Sequence, residues 1–179
     1  MADKTTHFGG AGEFFAMSEL LLRGWNVAVP VVDVGDDVFV VDDNDKTTYR
    51  LQVKSAEGAS DRYAFNLSRR QLREPHQIEL IYMLLMRFGT RWRFLVIPRV
   101  DLVELRDVFE QRAGSTRTRG AAPKADVDAK TDGLTLAVSF DGSSTVGWDA
   151  DLSRFLDQWP NALPQITGGP GARGRQPVG

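Results

Sequence analysis

The 179-residue chain contains no cysteine. That absence excludes disulfides, thiolate catalysis and cysteine-type zinc sites, and it fits a reducing compartment. Only two histidines are present. His7 and His76 have no partner at metal-ligand spacing, and both read as incidental. No apolar run approaches the ~20 residues that would span a bilayer. The first residues, Met-Ala-Asp-Lys-Thr-Thr-His, have no apolar signal core. The expectation is a soluble cytoplasmic protein with no membrane partner. A net charge of −2 gives no global attraction to nucleic acid.

A hydrophobic content of 42% is that of a folded chain. The length suits one packed domain, read here as residues 1–163 with a mobile loop near 113–133 and a disordered tail over 164–179. Residues 1–10 read as a frayed start. Residues 11–23 read as a helix with Gly24 at the C′ position, and Glu13, Ala16, Met17, Leu20 and Leu21 fall on one stripe. Strands are expected at 26–32, with Pro30 placing that strand at a sheet edge or strand end, and at 37–42, 48–55 and 62–67. Residues 78–86 and 92–97 flank Phe-Gly-Thr-Arg as a hairpin, a helix covers 101–112, a strand covers 134–140 and a helix closes at 149–159. This order argues an α/β or α+β fold around a central mixed sheet flanked by helices.

Charge is unevenly spread. Asp33, Asp36, Asp37, Asp42, Asp43 and Asp45 crowd the first hairpin, while arginines are scattered through the later chain and far outnumber lysines. If the hairpin turn centres on Asn44-Asp45, antiparallel pairing sets Asp37 opposite Gln52. Directly opposed side chains have Cβ atoms roughly 4.5–5.5 Å apart. Gln52 and Lys54 share a strand face because side chains alternate with period two. An acid, an amide oxygen and an ammonium thus converge. Hard cations such as Mg²⁺ take oxygen ligands and need only one or two protein carboxylates beside water and phosphate. Asp37, the Gln52 carbonyl and the backbone carbonyl of Val53 are the candidate ligands. Lys54 is the candidate for positioning a water, helping to deprotonate it, or stabilising charge on a phosphate.

Glu13 lies on the apolar stripe of the first helix, where a bare carboxylate is costly to bury and wants a partner. A place in the first helical turn would also favour its charge. An edge-exposed acid or a simple dipole partner is the plainer reading. Asp33 and Asp36 compete with Asp37, and Asp36 reads best as a turn residue. Arg69, Arg70 and Gln71 come after the hairpin and are candidates for contacts to a nucleic-acid backbone, which position without reading sequence. A solvated turn before a short helix explains them almost as well. Ser55 is open between a phosphate contact and a strand-end cap. Trp25, Trp92, Trp148 and Trp159 read as core or interface rather than as stacking platforms.

From Phe8 to Ser55, about a quarter of the chain, these residues resemble the PD-(D/E)XK nuclease superfamily. Gly12-Glu13 matches the helix acid, Asp33-x-Gly-x-Asp37 ends in the hairpin acid, and Gln52-Val53-Lys54 matches the last motif. Phe65-Asn-Leu-Ser-Arg-Arg-Gln71 and the 78–97 hairpin also resemble the segments C-terminal to that motif in restriction-endonuclease-like and Holliday-junction-resolvase-like members. The resemblance implies a restriction-endonuclease-like core and Mg²⁺-dependent endonucleolytic hydrolysis of DNA phosphodiester bonds, with Mn²⁺ as a substitute. It implies Glu13, Asp37 and Gln52 as metal ligands and Lys54 as the water-assisting group. It fits a homodimer or a member of a larger defence, repair or recombination complex. Gln52 replaces the usual acid and removes one negative charge, which also motivates the alternative of a catalytically inactive module on the same fold that binds nucleic acid or a partner protein. No proline precedes Asp37, a position widely relaxed in the family.

Overall fold

A computed structural model describes residues 4–31, 35–42, 47–58, 60–74, 78, 80–115 and 132–158. The chain is α/β, with a central mixed sheet flanked by helices. Helix α1 covers Lys4–Leu22, strand β1 Asn26–Ala28, β2 Val38–Asp42, β3 Thr47–Glu57 and β4 Arg62–Ser68. A short helix α2 (Arg69–Arg73) leads to β5 (Leu80–Phe88), β6 (Arg91–Pro98) and helix α3 (Arg99–Ser115). Strands β7 (Gly133–Phe140), β8 (Thr145–Gly147) and β9 (Ala150–Asp151) complete the described elements, with one 3₁₀ turn at Ser153–Phe155.

The first sheet runs β1-β2-β3-β5-β6, antiparallel except for the parallel β3–β5 pair. Strand β5 is interior to the sheet and covered on both faces, so its sequence is continuously apolar rather than alternating. Residues Leu80 to Met86 are all buried. The second sheet, β4-β7-β8-β9, is antiparallel. Its strands β4 and β7 alternate buried and exposed residues, because only one face packs on the core.

Two apolar layers enclose the first sheet. On one face, Ala16 and Leu20 of α1 pack with Tyr49, Leu51, Val53, Ile81, Met83 and Leu85. On the other, Leu80, Tyr82, Leu84 and Met86 meet Phe65, Leu67, Leu136 and Val138 of the second sheet and Leu102 of α3. The expected layer of helices on this second side is therefore shared with a small sheet.

Helix α1 begins at Lys4, well before the expected start. Its end matches expectation. Gly24 has φ +82°, Gly24 N donates to Leu21 O at 2.9 Å and Trp25 N donates to Leu20 O at 3.1 Å, a Schellman closure. The expected stripe is corrected at Leu21, which is 54% exposed. The buried row is Gly12-Ala16-Leu20 at a strict four-residue interval, and Leu21 lies about 100° round from Leu20.

Strand β1 is shorter than expected, but it does lie at the sheet edge; Val29 and Val31 beyond it are exposed. The expected 149–159 helix does not form. Trp148, Asp149 and Asp157 have positive φ, Ala150 and Asp151 pair as β9, and Asp151 Oδ1 accepts from Ser153 N to start only a single turn. Leu156 then bridges to Leu95. The apolar spacing of Leu152, Phe155 and Leu156 is helical, yet left-handed residues on both sides, Trp148 and Asp149 before and Asp157 after, confine it to one turn. Helix α3 extends to Ser115 and β7 starts at Gly133, so residues 116–131 of the expected loop lie outside the described residues, as do Trp159 and the 164–179 tail.

Candidate active site

The β2–β3 register fixes the geometry of the hairpin. Val38 pairs with Leu51 and Asp42 with Thr47, so the preceding residue, Asp37, stands opposite Gln52. Asp37 N donates to Leu51 O at 2.9 Å, which holds the backbone of the acid onto β3. The Asp37 carboxylate accepts from Gln52 Nε2 at 2.5 Å and from Val53 N at 2.6 Å, both on Oδ2. Asp37 and Gln52 therefore meet as expected, but the amide end is reversed. Its nitrogen, not its carbonyl oxygen, faces the acid, because an ionised carboxylate only accepts hydrogen bonds. Val53 likewise offers its N–H rather than its carbonyl to Asp37.

Gln52 is 2% exposed, so both ends of its amide need partners. The outer end finds Gln71: Gln71 Nε2 donates to Gln52 Oε1 at 3.3 Å and to Gly35 O at 2.8 Å. Gly35 has φ +90°, and a Cβ built there would stand 2.1 Å from Gln71 Nε2. Glycine is needed at this position for backbone conformation and for passage of the Gln71 side chain.

The reading of Asp36 as a turn residue is corrected. Asp36 is buried, and Arg50 grips it with Nε at 2.9 Å and a terminal nitrogen at 2.8 Å. Burial demands a partner for a carboxylate, and the planar guanidinium fork supplies two donors. Asp33 lies outside the described residues, as does His76.

Lys54 is half-buried and shares the Gln52 face of β3. Two residues along a strand separate them by about 6.5–7 Å. Glu13 belongs to α1, which packs on the opposite face of β3. Helix α1 crosses β3 where Gly12 abuts Ser55: a Cβ on Gly12 would lie 1.8 Å from Ser55 Oγ. Ser55 is two residues beyond Val53, whose N–H holds Asp37, and its hydroxyl is buried with no hydrogen-bond partner. Ser55 therefore acts here as the packing surface for α1. Glu13 itself is half-buried and sits in the middle of α1, so the expected first-turn dipole effect does not apply.

The structure thus brings Asp37, Gln52, Val53 and Gln71 into one hydrogen-bonded group and sets Lys54 beside them. It places Glu13 on the helix that covers the other face of β3. No group of three or more His, Asp or Glu side chains able to hold a metal ion occurs among the described residues.

Arg69, Arg70 and Gln71 are not a turn before a helix; they are its first three residues. Ser68 caps α2 by accepting from Gln71 N at 3.1 Å. Asp132 accepts from Ser68 Oγ and from Arg70 N, and Arg69 N donates to Asp132 O. At the far end, Arg99 donates to Leu72 O at 2.6 Å. These contacts make so short a helix a fixed platform for Gln71. Arg70 is exposed, while Arg69 lines a small cavity between α2 and α3 with Arg73 and Arg106. His7 is exposed, with no metal-ligand group around it among the described residues. Trp148 is buried and donates to Thr135 O, while Trp25, edge-on against Tyr49, and Trp92, stacked with Phe15, are partly buried and pack against the core.

Two hydrogen-bond partners escaped the sequence reading: Arg50 as the partner of Asp36, and Gln71 as the partner of Gln52. The hairpin register gave no signal for the first, since Arg50 pairs with Phe39, three residues beyond Asp36. Gln71 had no local signal, because its approach depends on how α2 folds back.

No helix among the described residues is long and apolar enough to cross a membrane. No family model and no curated protein matches the chain. Among solved structures, the chain is similar to a bacterial homing endonuclease, I-Ssp6803I, with a TM-score of 0.43 and 22% identity, covering 57% of this chain and 70% of that one.

Proposed function

We propose that the chain is a Mg²⁺-dependent endonuclease of the PD-(D/E)XK type that hydrolyses DNA phosphodiester bonds. The observation that supports this reading is the hairpin register that sets Asp37 opposite Gln52, with Lys54 on the same face of the same strand. Asp37, the Gln52 carbonyl and Glu13 would hold the cation. When bound, such an ion lowers the pKa of a coordinated water and polarises the phosphate. The protein's own part is to fix the acid through Val53 N–H and Leu51 O, and to hold the Lys54 ammonium where negative charge grows on the phosphate. Arg69 and Arg70 would steady the nucleic-acid backbone, and a homodimer or a larger defence or repair complex would bring a second site for the second strand.

The test is cleavage of supercoiled plasmid and of single-stranded DNA with Mg²⁺ or Mn²⁺. The expected outcome is cation-dependent cutting that Lys54→Ala reduces at least about a hundredfold, the usual scale for losing a group that acts on the reacting centre. Equal inertness of wild type and Lys54→Ala on DNA and RNA would sink the enzyme reading.

One observation favours a second reading. Asp37 Oδ2 is occupied by two N–H donors, an arrangement stable without a cation. An inactive module on this fold would show DNA or protein binding that neither chelators nor Asp37→Asn alters.

A further inference from the structure

The amide of Gln52 is buried between two competing groups. Its nitrogen is turned to Asp37 at 2.5 Å, and its oxygen is turned to Gln71 Nε2 at 3.3 Å. A cation on Asp37 needs the reverse, an oxygen beside an oxygen. Gln71 holds the amide against that reversal, since its own Nε2 is anchored on Gly35 O at 2.8 Å and its backbone is capped by Ser68. A flipped Gln52 would point its NH₂ group at the Gln71 NH₂ group, two donors facing each other.

We infer that Gln71 competes with a divalent cation for the carbonyl oxygen of Gln52, so that this residue of α2 sets the metal affinity of the hairpin. Gln71 is then a positioning residue that acts through Gln52, rather than a contact to nucleic acid. The inference rests on the metal-site reading above. It also joins the affinity of the site to α2, whose next-door arginines are the candidate backbone contacts. Any displacement of α2 that withdraws Gln71 Nε2 frees the amide to turn. An acid at position 52 would have no such dependence, because both ends of a carboxylate are oxygens.

The experiment titrates the full chain with Mn²⁺, read by the paramagnetic resonance of the free ion, alongside the side-chain amide signals of Gln52 in the metal-free protein. Gln71→Met keeps the length of the side chain and helix propensity while removing the donor, and Gln71→Ala serves as the second variant. Both should move the Gln52 amide signals and tighten Mn²⁺ binding roughly three- to tenfold, the scale of one net hydrogen bond. In a Gln52→Glu background the same substitutions should change affinity less than about twofold, since the amide that must turn is gone. Binding that depends on Asp37 yet is unchanged or weakened by both variants overturns the competition alone. Absence of Asp37-dependent binding in every variant overturns the metal-site reading, and the competition with it.

Discussion

Arg50 clasps Asp36 through two guanidinium nitrogens, at 2.9 and 2.8 Å, one residue before the candidate metal acid. The Asp36 side chain is 2% exposed and that of Arg50 is 19% exposed. The pair is therefore mostly removed from water, and the removal of one partner leaves a buried charge without its counter-ion. Gly35 is tied to Gln71 of α2, and Asp36 and Asp37 are tied to the consecutive residues Arg50 and Leu51 of β3. The loop that presents the acid is fixed at three successive residues.

Arg50→Met should accordingly destabilise the fold by about 2–3 kcal/mol, toward the low side for a buried pair because the guanidinium keeps some exposure. For a chain of this size that corresponds to a fall in melting temperature of about 5–10 °C. Asp36→Asn should cost less, since the amide oxygen still accepts from Arg50. Calorimetry on the two variants checks the order. A melting temperature for Arg50→Met within about 1 °C of wild type would show the pair to be incidental.

The hairpin was the most legible part of the chain. Alternation, a polar turn and the position of its centre sufficed to place Asp37 opposite Gln52, because register in a short antiparallel pair is a local property. The orientation of the Gln52 amide was not legible. It depends on Gln71, nineteen residues further on and delivered by a helix of five residues that local propensity would not form alone. The same limit explains the C-terminal region. Leu152, Phe155 and Leu156 carry helical spacing, while Asp151 and the left-handed Trp148 and Asp149 commit the backbone to a β9 pairing and one turn. Periodicity reports which residues are buried, and the caps decide what geometry buries them.

Asp132 gives a pH-dependent prediction. Its carboxylate accepts from Ser68 Oγ and Arg70 N, with the Arg70 and Arg69 charges nearby, and these hold its pKa below the ordinary aspartate value. A carboxyl whose folded pKa is depressed stabilises the fold above its unfolded pKa, and that contribution is lost as pH falls through the folded value. Asp132→Asn should therefore lower the melting temperature at pH 6–7, and the two curves should converge below about pH 4, the ordinary aspartate range. Asp132 is almost fully exposed to solvent, so the effect is a small one that high salt should shrink. Melting curves for both proteins between pH 3 and pH 7 test this, and a gap that widened toward acid would contradict the assigned hydrogen bonds.

Gly12 and Ser55 set the distance between α1 and β3. A Cβ on Gly12 would lie 1.8 Å from Ser55 Oγ, 3.1 Å from Ser55 Cβ and 3.2 Å from a Leu85 methyl. Gly12→Ala gains about 1 kcal/mol of helix propensity. The crowding should outweigh that gain by about 1–2 kcal/mol, in the range for overpacked cores. Ser55→Ala alone should be neutral or mildly stabilising, because the hydroxyl it removes is buried with no hydrogen-bond partner. The double variant should recover most of the loss, since the closest contact is to the hydroxyl and the remaining contacts need shifts of only tenths of an ångström. The decisive measurement is the coupling free energy from chemical denaturation of the four proteins. Strict additivity would mean that α1 does not rest on β3 at Ser55.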